Sequence, residues 1–167
     1  MKIEDNFLDI KEFREIQTNI MGGDFAWFYQ NVITNYNDVD KFQFCHLFYA
    51  NGQATSQSLN TLQPILDKIQ NIHSLWRIKA NLLTRTPEIV ENELHNDMIG
   101  MPEEKIKQWT TSIFYINNNN GYTRFEDGTK VESVANRLVT FSADTKHTGT
   151  SCTDERTRVV INFNYFK

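Results

Sequence analysis

The chain has 167 residues, of which 40% are hydrophobic and 23% are charged, and this composition predicts one globular domain spanning residues 1–167. Its formal net charge of −4 weighs against nucleic acid as a partner, because proteins that track a phosphate backbone usually present a basic surface. There is no apolar run of membrane-spanning length and no signal peptide, and the two cysteines, Cys45 and Cys152, fit no metal-ligand spacing, so we expect a cytoplasmic protein.

The first predicted element is a helix from about Ile10 to Met21, because apolar residues recur there three or four positions apart and so share one face. Asp9, followed three residues later by Glu12, indicates the start of this helix, and Gly22-Gly23 indicates its end. A second helix is predicted from about Asn60 to Ile72 on the same grounds. Both helices are expected to pack on a sheet.

A strand is predicted from Phe42 to Tyr49, with His46 on one of its faces. An imidazole can bind a metal ion. A single histidine among aromatic side chains is more often a packed core residue, and we therefore expect His46 to be structural.

From Leu75 onward, short candidate strands alternate with turn signals, which is typical of a sandwich or a jelly roll. Helices come first and strands follow, so the predicted class is α+β, mainly β, with the helices packed on one sheet. Residues 1–75 are expected to form a helical support region and residues 76–167 the core. The candidate strands are Trp76–Leu83, Thr110–Ile116, Gly121–Phe125, Lys130–Val134, Arg137–Phe141 and Arg158–Phe166.

His95-Asn96-Asp97 is the first candidate for chemistry. Residues two apart in a strand point to the same face, so this imidazole and this carboxylate can converge on one point. With one more histidine they would form a face of two histidines and one carboxylate, a donor set that suits iron(II) and leaves coordination positions open. Alone, the pair is more typical of a surface turn.

His147 is the candidate for the third metal ligand. It follows the apolar strand Leu138–Phe141 and lies 50 positions after Asp97, which leaves room for about four short strands. The ligands could then meet on opposite strands of one small barrel. A loop histidine that caps a turn is the alternative.

The C-terminal strand has one face that does not fit a packed core. Alternation places Arg158, Val160, Asn162 and Asn164 on this face, opposite an entirely apolar one. Such a face is expected to line a polar cavity, where the planar fork of an arginine can bind a carboxylate through two hydrogen bonds. A solvent-facing arginine on an edge strand is the alternative.

Together these residues resemble the 2-oxoglutarate- and iron(II)-dependent oxygenases, and within them the prolyl-4-hydroxylase-like branch. The family pattern is His-x-Asp, then a distal histidine on a later strand, then an arginine or lysine some ten residues beyond. Here that basic residue is Arg158, 11 positions after His147. The resemblance covers Trp76 to Phe166, and compact phage and marine bacterial members are the most similar. Three further segments match in order: Thr111–Asn117, Gly121–Phe125 and Arg137–Phe141.

The resemblance implies a double-stranded β-helix, a jelly-roll, cupin-like fold with the active site at its open mouth. It implies that His95, Asp97 and His147 bind iron(II) as the metal cofactor. The implied reaction is an oxidative hydroxylation that consumes 2-oxoglutarate and dioxygen and releases succinate and carbon dioxide. Ascorbate is a further candidate cofactor, and a phage-encoded member would work in the cytoplasm of its host.

The resemblance also implies a binding site for the cosubstrate. Arg158 would bind the distal carboxylate of 2-oxoglutarate, and the Tyr115 hydroxyl would contact the same carboxylate. Thr123 and Asn162 are further candidate contacts.

Departures from the family pattern put a proline substrate in doubt. Gly121 is followed directly by Tyr122-Thr123 where the family has a second glycine, and Glu126 stands where prolyl hydroxylases often have proline. A peptidyl side chain, a free amino acid or another small molecule all fit as substrate. The chain segments 25–60 and 87–93 are expected to border the mouth of the site.

Two other functions fit the same sequence. A cupin-type iron enzyme that does not use 2-oxoglutarate would share the metal ligands but would have no need of Arg158. A non-catalytic binding module on the same fold is the second, and the complete set of metal ligands argues against it.

Overall fold

The computed structural model describes residues 1–34, 41–98 and 100–167. Within them, the helices are α1 (Ile10–Ile20), a 3-10 helix (Gln57–Leu62), α2 (Gln63–Lys68) and α3 (Glu103–Ile106). The strands are β1 (Lys2–Glu4), β2 (Phe28–Gln30), β3 (Gln43–Ala50), β4 (Gln53–Ala54), β5 (Ser74–Thr84), β6 (Trp109–Tyr115), β7 (Tyr122–Phe125), β8 (Lys130–Glu132), β9 (Leu138–Ser142), β10 (His147–Gly149) and β11 (Thr157–Phe166). None of the helices in this part of the chain has the length and apolar character required to cross a membrane.

Eight strands form one antiparallel sheet in the order β1-β9-β6-β11-β5-β3-β2, with β4 paired to β3. Its longest strands, β5 and β11, lie side by side, with Arg158 opposite Leu83 and Asn164 opposite Arg77. One face of β11 is buried in the largest apolar cluster, as its alternation predicted. The residues of that face are Val159, Ile161, Phe163 and Tyr165.

The helices pack on the apolar face of this sheet, as predicted. Phe13 of α1 and Ile65 of α2 belong to the same cluster as the buried face of β11. The Asp9 carboxylate accepts a hydrogen bond from the Lys11 backbone N–H at 2.9 Å, which satisfies one free donor of the first turn. Ile10 was expected on the buried face, but its side chain is 56% exposed because it points back beyond the start of the helix.

The second helix differs from the prediction at both ends. It starts earlier, as the 3-10 helix from Gln57, and α2 ends at Lys68. Ile69 already has extended backbone, with ψ of 100°, and Asn71 has a left-handed φ of 64°. The apolar residues 69–72 thus continue the helical spacing, but the chain turns there to enter β5.

A small antiparallel sheet in the order β10-β7-β8 packs against the large one. The side chains between the two sheets form a second apolar cluster, to which both sheets contribute: Ile113, Tyr115, Phe125, Val131, Val139, Phe141 and Val160. Two facing sheets of antiparallel strands with helices on one outer side agree with the expected jelly roll.

Residues 1–75 contribute more than helical support. The predicted strand of this region is present as β3, but β1, β2 and β4 were not predicted, and all four strands join the large sheet. The division at residue 75 therefore does not separate a helical part from a strand part, because strands from both parts are hydrogen-bonded in one sheet.

Candidate functional site

His95 and His147 lie opposite each other at the edge of the small sheet. The backbone N–H of each donates to the carbonyl oxygen of the other, at 3.0 and 3.1 Å, and their ring centroids are 5.2 Å apart. The two histidines are therefore on neighbouring chain segments, and the prediction of opposite strands was wrong. The strand that was expected to run through His95 and Asp97 is not formed. Instead, His95 makes an isolated bridge and the chain bends at Asp97.

The backbone fixes the same tautomer in both imidazole rings. His95 Nδ1 lies 3.1 Å from the Glu93 carbonyl oxygen, and His147 Nδ1 lies 3.2 Å from the Thr145 carbonyl oxygen. A carbonyl oxygen can only accept, so each Nδ1 carries the proton and each Nε2 keeps a free lone pair. Burial lowers the pKa of His147 and outweighs the opposing effect of the Asp97 carboxylate. The ring is therefore neutral at neutral pH. Neutral imidazole is the form that binds metal ions.

Asp97 completes the group of potential ligands. Its Oδ1 lies 3.9 Å from His95 Nε2, and its Oδ2 lies 3.9 Å from His147 Nε2. Burial alone would raise the pKa of this carboxyl group. The charged form of His147 and the Arg77 guanidinium outweigh burial, and the pKa lies well below the usual range of a carboxylic acid. Asp97 is therefore a carboxylate at any pH at which the protein works.

These three residues fit a metal ion. One ligand atom from each lies within 4.8 Å of the others, and the donor set of two imidazoles and one carboxylate suits iron(II). Both Asp97 oxygens have polar neighbours: Arg77 Nη2 forms an ion pair with Oδ1 at 3.1 Å, and two amides donate to Oδ2. These amides are the Nδ2 groups of Asn162 and Asn164, each at 3.2 Å.

Arg158 lies at the other end of β11 and is 3% exposed. Its Nε donates to Ser133 Oγ at 2.8 Å, and its Nη2 donates to Thr123 Oγ1 at 3.0 Å. Neither of these two bonds uses Nη1, and within the described residues no carboxylate forms an ion pair with this guanidinium. Burial lowers the pKa of Arg158, but an arginine remains charged. A buried cation without a counter-charge indicates a site for an anion.

Two of the predicted cosubstrate contacts lie beside this guanidinium. The Tyr115 hydroxyl donates to Thr123 Oγ1 at 2.8 Å, and the Arg158 guanidinium carbon lies 5.7 Å from the centre of the Tyr115 ring. Burial raises the pKa of Tyr115, which keeps the phenol protonated and able to donate. Thr123 lines the adjacent cavity, whereas Tyr115 lies behind it in the apolar cluster.

One cavity of about 510 Å³ contains both groups. Arg158 and Thr123 line one part of it, and the group of His95, Asp97 and His147 lines another. The two segments expected to border the mouth contribute Gln30, Gln43 and Asn92 to the cavity lining, and positions 35–40 of the first segment lie outside the described residues.

Known structures share this fold. A prolyl-4-hydroxylase from Pseudomonas putida is 18% identical to the chain, with a TM-score of 0.58 and coverage of 99% of this chain and 91% of that one. An oxidoreductase of the 2OG-Fe(II) oxygenase family from Burkholderia pseudomallei has 10% identity, a TM-score of 0.65 and coverage of 96% and 82%. The viral collagen prolyl hydroxylase of Paramecium bursaria Chlorella virus-1 has 15% identity, a TM-score of 0.58 and coverage of 99% and 95%. No protein-family model and no curated protein sequence matches the chain.

The chain has the fold of the 2-oxoglutarate- and iron(II)-dependent oxygenases. In this oxygenase fold, Asn162 lies on the cavity wall with Arg158, and its Nδ2 donates to Asp97 Oδ2 at 3.2 Å. Its Oδ1 is buried without a hydrogen-bond partner within the described residues and lines the cavity. Asn162 can therefore contact a bound molecule through Oδ1 while it orients Asp97 through Nδ2.

The polar face of β5 was not predicted as part of the site. Arg77, Lys79, Asn81 and Leu83 alternate along this strand and line the cavity of the oxygenase fold, whereas Ile78 and Ala80 are buried in the main core. The signal was present in the sequence, because the alternation of polar with apolar residues in β5 is the same as that recognised in β11.

His46 has no part in this site. Its Nδ1 lies 2.6 Å from the Ala26 carbonyl oxygen, its Nε2 lies 2.7 Å from Ser56 Oγ, and its ring packs against Phe25 and Phe48. Both ring nitrogens are occupied, which confirms the structural role expected for this histidine. Cys45 and Cys152 are free thiols, both buried.

Proposed function

We propose that this protein is an oxidoreductase, a 2-oxoglutarate- and iron(II)-dependent dioxygenase that hydroxylates its substrate and releases succinate and carbon dioxide. One observation carries the proposal. A group of two histidines and one aspartate and a buried arginine without a counter-charge line the same cavity. The first feature fits iron(II), and the second fits the distal carboxylate of a dicarboxylic acid.

Each residue has a defined task in this proposal. His95 and His147 would offer Nε2 lone pairs to the metal ion, since their Nδ1 protons are held by backbone carbonyls. Asp97 would supply a negative charge, in an orientation kept by Arg77. A bound iron(II) ion would supply the activation of dioxygen for oxidation of the substrate. No side chain of the site is required to act as a strong acid or base.

Arg158 and its neighbours would orient the cosubstrate. Arg158 Nη1 can donate to the distal carboxylate, and the Thr123 hydroxyl can turn its own hydrogen toward the same group because it already accepts from Tyr115 and from Arg158. The apolar cluster behind them excludes water and strengthens these hydrogen bonds.

Arg158 also discriminates between this proposal and its alternatives. A cupin-type iron enzyme without 2-oxoglutarate would gain nothing from a buried, unpaired guanidinium, which costs desolvation free energy. A binding module on the same fold would not need two imidazoles held in the metal-binding tautomer. The proposed function therefore requires that the three metal ligands bind iron(II) while Arg158 binds 2-oxoglutarate in the same cavity.

Anaerobic addition of iron(II) and 2-oxoglutarate tests the proposal, because chelation by the keto acid produces a visible charge-transfer band. We expect the band in the wild type and no band in His147→Ala. In Arg158→Met the band should require a 2-oxoglutarate concentration at least about tenfold higher, as expected for loss of a charged hydrogen-bonding partner. His73→Ala and Arg156→Met remove the same side-chain types outside the cavity and should behave like the wild type.

Each alternative predicts a different result. A band whose 2-oxoglutarate dependence is unchanged in Arg158→Met would place the anchor elsewhere. Iron binding without any band would favour the cupin-type enzyme. Absence of iron binding in the wild type would favour the non-catalytic binding module.

A further inference from the structure

Lys79 is a second basic residue on the cavity wall, distinct from Arg158. It lies on β5, is half-buried and lines the cavity through the same strand face as Asn81. Within the described residues, no carboxylate lies within ion-pair distance of the Lys79 ammonium group. On β3 Lys79 is paired with Leu47, and it hydrogen-bonds to the buried Cys45 thiol, whose pKa is raised by burial.

Lys79 and Arg158 serve different sides of the cavity. The Arg158 guanidinium bonds to Thr123 of β7 and to Ser133, which follows β8, so it reaches toward the small sheet. Lys79 lies on β5, the strand beside β11, and is paired with Asn162 of β11 on one side and with Leu47 of β3 on the other. Asn162 bonds to Asp97, so Lys79 lies beside the candidate metal ligands and away from the Arg158 anchor.

The charge of the cavity favours an anionic substrate. Three basic side chains, those of Arg77, Lys79 and Arg158, face one carboxylate, Asp97, among the lining residues that the structure describes. A divalent metal ion and a doubly charged 2-oxoglutarate cancel each other, so the loaded cavity keeps a surplus of positive charge. This surplus is local, since the whole chain has a formal net charge of −4. A charged group in such a cavity is attracted or repelled strongly because solvent screening is reduced.

Asn81 adds a neutral donor to the same wall. Its Oδ1 accepts from the Cys45 thiol at 3.4 Å, which leaves the Nδ2 hydrogens without an acceptor within the described residues. An ammonium group and an amide N–H two residues apart on one strand face can together bind the two oxygens of a carboxylate. Phosphate groups usually require more donors than this pair supplies.

Resting on the proposed function, we propose that the substrate is a small carboxylic acid whose carboxylate binds to Lys79 and Asn81. Lys79 would then determine specificity, and Arg158 would bind the cosubstrate. The cavity of about 510 Å³ is shared between the two molecules, which favours a small acid over a bulky one.

Paramagnetic NMR tests the proposal without relying on turnover. The protein is loaded with manganese(II) and saturating 2-oxoglutarate, and propionate, propionamide or methyl phosphate is titrated in. Bound propionate should lie close enough to the metal ion for saturable broadening of its methyl signal, and uncharged propionamide should show little. Lys79→Met should weaken the propionate effect at least about tenfold, as expected for removal of one charged partner, whereas Lys107→Met, an exposed lysine outside the cavity, should match the wild type.

Binding of 2-oxoglutarate to the same variants, measured by calorimetry, separates the possible failures. We expect Lys79→Met to keep 2-oxoglutarate affinity within about twofold of the wild type, a difference of under 1 kcal/mol. A large loss would assign Lys79 to the cosubstrate and overturn the proposal. Equal broadening by propionamide, unchanged broadening in Lys79→Met, no saturable broadening, or tighter binding of methyl phosphate would also overturn it. Failure of the metal-loaded wild type to bind 2-oxoglutarate would instead reject the proposed function, and this inference with it.

Discussion

Two glycines shape the space around the Arg158 side chain. A Cβ atom on Gly149 would lie 3.0 Å from Arg158 Nη1, at the face where an anion is expected to bind. A Cβ atom on Gly121 would lie 2.7 Å from Arg158 Cδ and 2.6 Å from the Ser151 carbonyl oxygen. Both glycines thus allow the Arg158 side chain to pack closely against the backbone. A Cβ atom at position 149 would displace only the end of that flexible side chain, whereas one at position 121 would also displace the backbone at Ser151.

Alanine at these positions should separate binding from stability. Gly149→Ala should push the guanidinium aside and weaken 2-oxoglutarate binding about tenfold with little change in stability, because only the end of a side chain moves. Gly121→Ala should lower the free energy of unfolding by about 1–3 kcal/mol, because backbone must shift. Gly23→Ala, where an added Cβ meets nothing within 4 Å, is the matched control. Calorimetry with 2-oxoglutarate and thermal unfolding measure the two effects, and equal loss of stability in both variants would contradict this distinction.

The residues of the site could be predicted to different degrees. His95, Asp97 and His147 were identified because ligand type and spacing leave a pattern in the sequence, and the structure brings them together. Arg77 was missed because its role depends on which strand lies beside β11, and no sequence pattern specifies strand order. The bend at Asp97 was missed for a related reason, since the bend follows from contacts with distant strands.

Among the connecting elements, the turn before β9 attaches the N-terminal segment to the large sheet. Asn136 is 3% exposed and has a left-handed φ of 64°. Its side chain accepts from the Leu8 N–H and donates to the Leu8 carbonyl oxygen, both at 2.9 Å, and its own carbonyl accepts from the Phe7 N–H at 2.8 Å. One residue thereby replaces the hydrogen bonds that a strand partner would supply to residues 7 and 8.

Asn136→Ala should therefore lower the free energy of unfolding by about 2–4 kcal/mol, because two buried backbone groups lose their partners. Asn136→Gly loses the same hydrogen bonds but tolerates the positive φ, so it should be about 1 kcal/mol more stable than the alanine variant. Chemical denaturation measures both differences. An alanine variant as stable as the wild type would show that water replaces the hydrogen bonds of the Asn136 side chain to the Leu8 backbone.

Long strands were predictable from alternation, and the shorter β7, β8 and β9 were also predicted because turn signals flank them, whereas other short strands were not. The candidate strands for β5, β6 and β11 were correct to within two residues at each end, because seven or more residues of alternation form a clear pattern. β1, β2 and β10 have three residues each, too few to establish a period, and they exist because they pair with longer neighbours. The end of the second helix was overestimated because periodicity continues past Asn71, where the backbone turns.

For the molecule as a whole, the candidate metal site lies where the two sheets meet. His147 belongs to the small sheet and His95 is bridged to it, whereas Asp97 is held by Arg77 of β5 and by Asn162 and Asn164 of β11 in the large sheet. A metal ion bound to the three residues would link the sheets at a place where the described contacts are otherwise polar. Metal binding should therefore stabilise the entire domain and not only the small sheet.

Thermal unfolding with and without ligands tests this link. With manganese(II) and 2-oxoglutarate each at about a hundred times its dissociation constant, the native state should gain about 2.7 kcal/mol from each ligand, or about 5.4 kcal/mol together, which corresponds to a rise in Tm of roughly 10–20 °C for a domain of this size. His147→Ala should show no such rise, because one ligand from the small sheet is missing, and His73→Ala should show the full rise. Far-ultraviolet and near-ultraviolet circular dichroism should report the same midpoint in the loaded wild type, since both sheets unfold together. Separate midpoints in the loaded protein would mean that the metal ion stabilises the small sheet alone.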